Sequence, residues 1–285
     1  MTIRQALNQS RETLNTHNIE DSNLESELLL RHVLKLSRTQ LYVELERELD
    51  SENERTFWRL IDRRASGEPT AYITGHREFY GLDFEVNYNV LIPRPETELL
   101  VDKAIALSQD YAISTIADIG TGCGAVAISL ALNLPTTKIY ATDISLPALE
   151  VARLNCQKHK VTNRIYLLAG DMLDPLPEPV DLIVANLPYV LESELPQVNT
   201  VGFEPLLALN GGPDGLDKIR RLCTQLNIKL RPEGHLLLEI GQGQSEAIAT
   251  FLGTLFPSAK IELFPDLSGI KRVISLTFSQ VATNI

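Results

Sequence analysis

Cysteine, tryptophan and methionine are scarce, with three, one and two copies in 285 residues. The cysteines, Cys123, Cys156 and Cys223, are widely spaced and form no C-x-x-C pair, which argues against a disulfide framework and a thiolate metal site. The five histidines are scattered as well, so no metal centre is expected. No apolar run approaches the roughly 18 consecutive residues of a membrane span, and the start Met1-Thr2-Ile3-Arg4-Gln5 lacks the apolar stretch of a secretory signal. The expectation is a cytoplasmic protein without a membrane partner. Cationic residues are the deficient charge, and the net charge of −11 opposes broad affinity for phosphate backbones. Stable nucleic-acid binding is therefore not expected. A local basic patch remains open at Arg55, Arg59 and Arg63, spaced i, i+4, i+8, with Arg64 adjacent; a solvated helix face is the simpler reading.

Residues 1–75 read as a helical domain. Leu7 and Leu14 suggest a first helix. Ser22-x-x-Glu25 and Ser51-x-x-Glu54 match the capping box, followed at helical spacing by Leu24, Leu28, Leu29, Val33 and Leu34, and by Phe57, Leu60 and Ile61. Gly67-Glu68-Pro69 stops the run. Over 76–92 the period changes to two around Gly81, with Phe79, Leu82, Phe84 and Val86 alternating with polar neighbours, which predicts a β-hairpin linker. A second domain, 93–285, begins at Pro93-Arg94-Pro95-Glu96-Thr97-Glu98, with helix expected only after Glu96.

From residue 114 short apolar runs alternate with helical stretches. Strands are expected at 115–119, 138–142, 165–168, 182–185 and 235–240, and helices near 125–133, 147–158, 216–226 and 245–256. This order predicts an α/β fold, a mostly parallel sheet with helices on both faces. Two final runs, 260–264 and 273–278, have no clear helix between them and suggest an antiparallel edge.

Chemistry concentrates at the expected strand ends. Ala117-Asp118-Ile119-Gly120-Thr121-Gly122-Cys123-Gly124-Ala125 runs from strand to helix through a glycine-rich loop, where the lack of Cβ lets a ligand approach the backbone closely. Asp143 ends the next strand, placed to accept two ribose hydroxyls. Together they point to a nucleoside cofactor. Gly120-x-Gly122-x-x-Ala125 also satisfies the loose dinucleotide fingerprint, but a carboxylate at Asp118 would repel a pyrophosphate and suit a cationic ligand such as S-adenosylmethionine. Asp171 and Met172, after the third strand, would then meet the adenine by hydrogen bonding and packing. After the run Val180–Ala185 comes Asn186-Leu187-Pro188-Tyr189, where a carboxamide oxygen beside a backbone carbonyl can accept both hydrogens of an –NH2 group.

The ordered set of these features resembles the peptide-chain release factor glutamine methyltransferases, of the seven-stranded, Rossmann-like S-adenosylmethionine-dependent class, across nearly the whole chain. It includes Phe203-Glu204-Pro205-Leu206 in the loop after the tetrapeptide. The resemblance implies methyl transfer to the side-chain amide of the glutamine in a Gly-Gly-Gln loop of bacterial class 1 release factors; a monomer is expected. By position it implies that Gly120, Thr121, Gly122, Cys123, Gly124 and Asp143 hold the cofactor. Asp171 and Met172 would flank adenine, and Asn186 would touch both methyl donor and substrate. Asn186 and Tyr189 are the expected catalytic pair, with Leu187 and Pro188 completing the substrate cradle. The family pattern is Asn-Pro-Pro-Tyr. Leu187 keeps the required carbonyl but loses the locked φ of proline. Gly202 stands where a charged residue is common. An adenine-N6 DNA or RNA methyltransferase is the alternative, because an adenine –NH2 fits the same cradle and Tyr189 could stack on a flipped base. The helical domain is expected to dock a protein partner.

Overall fold

The computed structural model describes residues 1–195 and 202–278. Residues 196–201, in the loop that follows the tetrapeptide, and 279–285, at the end of the expected second domain, lie outside the described residues. The chain forms two compact units, Met1–His76 and Arg77–Ile285.

The first unit contains α1 (Ile3–Thr16), α2 (Ser22–Leu34), α3 (Arg38–Val43), α4 (Ser51–Ala65) and α5 (Thr70–Thr74). They bury Ile3, Leu7, Leu14, Leu29, Leu30, Phe57 and Ile61 together. Neither expected capping box forms. Asp50 caps α4 instead, its carboxylate accepting the Glu52 and Asn53 N–H groups, while Ser51 sits inside the helix. At α2 no side chain caps the helix: Ser22 Oγ donates to Asn15 Oδ1, and Glu25 pairs with Arg64 of α4 at 3.1 Å. Tertiary partners outcompete the local motif there. True capping boxes close at Thr2 with Gln5 and Ser37 with Gln40. Leu24 and Leu28 are exposed, and Leu29 and Leu30 supply the buried face. The basic patch is half neutralised, with Arg64 on Glu25 and Arg63 on Glu68.

The second unit takes up the hairpin β1 (His76–Phe79) and β2 (Leu82–Glu85), then α6 (Glu98–Asp110), β3 (Thr115–Ile119), α7 (Ala125–Asn133), β4 (Lys138–Asp143), α8 (Leu146–Lys158), β5 (Ile165–Ala169), β6 (Val180–Ala185), α9 (Asp217–Cys223), α10 (Leu226–Lys229), β7 (Leu230–Glu239), α11 (Ser245–Leu255), β8 (Lys260–Pro265) and β9 (Lys271–Thr277). A 3₁₀ turn over Pro95–Thr97 leads into α6. Seven strands form one sheet in the order β5-β4-β3-β6-β7-β9-β8. The pairs from β5 to β7 are parallel, and β9 runs antiparallel between β7 and β8. Every residue of β3 is buried, as a strand covered on both faces requires. The single helix expected over 216–226 is broken into α9 and α10.

The hairpin turns through Tyr80 and Gly81, both at positive φ, which suits a tight two-residue turn. It is fastened to the sheet by α8. Asn155, fully buried in α8, accepts the Glu85 N–H and donates to the carbonyls of Glu85 and Cys123. One carboxamide thus ties the hairpin to the glycine-rich loop. Asn155→Ala leaves these backbone groups unpaired at about 1–3 kcal/mol apiece. Urea denaturation should therefore show a loss of roughly 3 kcal/mol or more, and a loss under about 0.5 kcal/mol would deny the tie.

Candidate active site

Strand order reverses between β3 and β6, whose neighbours β4 and β7 lie on opposite sides. A crevice opens at such a switch point, beyond the carboxyl ends of the strands. Here it is a cleft of about 850 Å³, mouth included, lined by Gly120, Gly122, Asp143, Ile144, Asp171, Met172, Asn186, Leu187 and Pro188 among others.

The floor of the cleft follows from the glycine-rich loop. Gly120, Gly122 and Gly124 all have positive φ, a region that side chains rarely adopt. The Gly120 and Thr121 N–H groups both donate to the Thr142 carbonyl at 2.9 Å, folding the loop over the end of β4. Thr121 turns inward and donates its hydroxyl to Asp118, which also accepts the Ala127 N–H. Asp118 therefore braces the junction between β3 and α7; burial pushes its carboxyl up to about 6. Cys123 is buried too, its thiol pushed up to about 12 by desolvation. A Cβ on Gly124 would meet Ile128 and Ala152, so this glycine serves close packing of α7 against α8. The cleft itself is lined by Gly120 and Gly122, and not by Thr121, Cys123 or Gly124.

Asp143 ends β4 with its carboxylate in the cleft. Its Oδ2 accepts the Gly122 N–H and its Oδ1 the Ser145 N–H, both at 2.9 Å. Each oxygen keeps a lone pair for a further donor. Burial raises its pKa against those backbone hydrogen bonds. Asp171 lines the cleft but also pairs with Arg221 at 2.5 Å, while Met172 stands beside it at positive φ.

Asn186 emerges from β6 and donates from Nδ2 to Thr97 Oγ1 at 3.0 Å. Neither its Oδ1 nor the Leu187 carbonyl takes a hydrogen bond from the described residues. Both acceptors remain available. The Leu187 side chain is buried, with Cδ2 3.7 Å from where a Cβ on Gly120 would stand. Packing on the loop thus replaces the rigidity that a proline ring would supply. Tyr189 turns away from the cleft lining: its hydroxyl donates to Glu239 Oε1 at 3.4 Å, and its carbonyl accepts Gln244 Nε2 at 2.9 Å. Burial and the nearby Glu239 raise its phenol above the usual tyrosine range. A Cβ on Gly211 would lie 2.7 Å from Tyr189 Cα, so the loop carrying Gly211 presses directly on the tetrapeptide.

Several contributors escaped sequence reasoning. Asn89, Val90 and Leu91 line the cleft from the segment after the hairpin. Glu204, buried, pairs with Arg94 at 2.6 Å and accepts the Ile92 N–H at 3.0 Å, joining the Phe203–Leu206 and Pro93–Glu98 motifs. Thr97, Glu239 and Gln244 support the tetrapeptide from three further segments. Arg94 and Thr97 lie within the Pro93–Glu98 motif and Glu204 within the Phe203–Leu206 motif, which was the available signal.

Comparison with known proteins agrees with this architecture. The family description "PrmC N-terminal domain" matches residues 5–75, and "Methyltransferase small domain" matches residues 96–200. A release factor glutamine methyltransferase of Moorella thermoacetica is 44% identical over 95% of this chain and 97% of its own length. One from Rhodopirellula baltica is 38% identical over 90% of each. A crystal structure of a methyltransferase from Pyrococcus furiosus shares the fold, with TM-score 0.51 at 16% identity over 70% of this chain and 90% of that one. From sequence likeness over nearly its full length, the chain belongs to the release factor glutamine methyltransferase family.

Proposed function

We propose that the protein transfers a methyl group from S-adenosylmethionine to the side-chain amide nitrogen of the glutamine in the Gly-Gly-Gln segment of bacterial class 1 release factors. The observation that carries this reading is the pair of acceptors that the described residues leave open, Asn186 Oδ1 and the Leu187 carbonyl, at the cleft formed by the glycine-rich loop and Asp143. When bound, S-adenosylmethionine supplies an electrophilic methyl on a sulfonium. The residues present fit it: Asp143 retains lone pairs for ribose hydroxyls, Gly120 and Gly122 admit close approach, and Ile144 and Met172 offer apolar surface.

An amide nitrogen is a poor nucleophile because its lone pair is delocalised into the C–N bond, whose rotation barrier of roughly 18–20 kcal/mol measures that delocalisation. The cradle acts by holding both amide hydrogens, one on Asn186 Oδ1 and one on the Leu187 carbonyl, so that the nitrogen is aimed and the charge it gains meets acceptor dipoles. Orientation of this kind can supply on the order of 7–11 kcal/mol, more than a general base at about 10²–10⁴-fold. The methylated nitrogen then gives up one of its protons to water. Tyr189, expected to pack on the glutamine plane, lies outside the cleft lining and instead, braced by Glu239 and Gln244, anchors the end of the tetrapeptide.

Incubation with labelled methyl donor and, separately, release factor or nucleic acid should place label on the release factor glutamine. Label on adenine alone would refute the reading. Asn186→Ala should lower kcat by at least about 10²–10³-fold with methyl-donor affinity nearly unchanged; near-normal turnover at saturating substrate would sink the cradle. Asp143→Ala removes hydrogen bonds to a charged acceptor, and calorimetry should find the donor bound about 10–100-fold more weakly. The helical unit is assigned to docking of the release factor, because a single buried glutamine cannot distinguish one protein from another and a second contact surface adds specificity. Deleting residues 1–70 should then raise KM for whole release factor more than for a short Gly-Gly-Gln peptide, and equal effects would remove this role.

A further inference from the structure

Glu239 ends β7, the strand beside β6, and is only 3% exposed. Its two oxygens differ in their partners. Oε1 accepts the Tyr189 hydroxyl, whereas Oε2 is buried with no hydrogen-bond partner among the described residues. A carboxyl group this desolvated is a net cost to folding. It faces Tyr189 from the loop after β6, Glu96 and Thr97 from the 3₁₀ turn before α6, and Arg272 from β9. Thr97 is the link to the cleft. Its side chain interacts with the Glu239 carboxylate and favours the charged form, though no hydrogen bond of ordinary geometry joins the two, while its Oγ1 accepts from Asn186 Nδ2 at 3.0 Å.

An ionised carboxylate only accepts hydrogen bonds. Beside Thr97 it draws the hydroxyl hydrogen toward itself, which leaves the threonine lone pairs to face Asn186. Asn186 must then present its –NH2 to Thr97. Its oxygen is left for the cleft. The two ends of a carboxamide have nearly the same shape, so only the polarity of the neighbours selects between its orientations. Turned by half a rotation, Asn186 would set its –NH2 against the –NH2 of the substrate, donor against donor.

We propose that Glu239 is a positioning residue which, through Thr97, holds the Asn186 carboxamide with its oxygen toward the substrate. This rests on the methyl-transfer reading only for the identity of the group that the oxygen receives. Burial pushes the Glu239 carboxyl up to about 7, with Thr97, Tyr189 and Arg272 favouring the charged form and Glu96 opposing it. As pH falls through about 7 the carboxyl gains a proton and can donate to Thr97, so the fixed polarity is present above that pH and lost below it.

In protein carrying ¹⁵N-asparagine, the Asn186 side-chain –NH2 signal, assigned by its disappearance in Asn186→Ala, should titrate with a midpoint near pH 7 in the wild type. It should not titrate in Glu239→Gln, which keeps the size of the side chain. Glu239→Gln and Thr97→Val should each lower kcat by roughly 10–100-fold, as loss of a partner that orients an active-site side chain does, with KM within about twofold. The double variant should be little worse than either single one, because both act on the same amide. An Asn186 signal that still titrates in Glu239→Gln, or losses that simply add, would overturn the proposal. The titration needs no substrate. A wild type that methylates no glutamine yet shows the midpoint near 7, abolished in Glu239→Gln, would refute the function and support the role of Glu239.

Discussion

Parallel pairing of β3 with β6, Ile119 opposite Ala185, is the constraint on which the rest of the second unit depends. It sets the glycine-rich loop beside the tetrapeptide, because each segment begins where its strand ends. The order then reverses, β4 and β5 extending to one side and β7, β9 and β8 to the other. Helices leaving β3 and β6 must diverge, and the crevice between them becomes the cleft. A slip of one residue in this pairing would turn the Asn186 side chain to the opposite face and separate it from Thr97. Chemistry in this fold is thus inherited from sheet register.

Around the cleft, buried acids act chiefly as acceptors that organise backbone. Asp118 holds the start of α7, Asp143 holds Gly122 and Ser145, and Glu204 holds Ile92 together with Arg94. Each carboxylate compensates its desolvation with N–H groups that a turning chain would otherwise leave unpaired. Glu239 departs from that pattern. Among the described residues it hydrogen-bonds a phenol at 3.4 Å and one of its oxygens is left over, so its charge is of most use to the Thr97 and Asn186 side chains. The two carboxylates that line the cleft, Asp143 and Asp171, are compatible with the cationic donor proposed for it.

Leu187 shows how a departure from a family pattern can be absorbed. Proline at that place restricts φ through its ring. Leucine is instead restricted by burial against the glycine-rich loop, and Pro188 biases its backbone toward extended angles. The carbonyl, the part the proposed chemistry requires, stays free of internal hydrogen bonds among the described residues. Packing thereby couples the glycine-rich loop to the tetrapeptide, a coupling that a proline ring, with less apolar reach, would make less directly.

Periodicity and strand-end residues by themselves determined the alternation of strands and helices, the glycine-rich loop, Asp143 and the tetrapeptide, because these depend on local pattern and on the backbone freedom of particular residue types. The expected β3 and α7 match the observed bounds, and the other expected strands of the second unit differ mainly at their ends. Helix caps were decided otherwise. Ser22 and Glu25 carry a valid capping motif, yet Asn15 and Arg64, distant in sequence, supply better partners. Thr97, Glu204 and Glu239 were beyond the reach of local pattern for the same reason: each acts through a partner 50 to 112 positions away. A side chain's hydrogen-bonding capacity is written in the sequence, but which donor it meets is settled only when the sheet brings distant strand ends together.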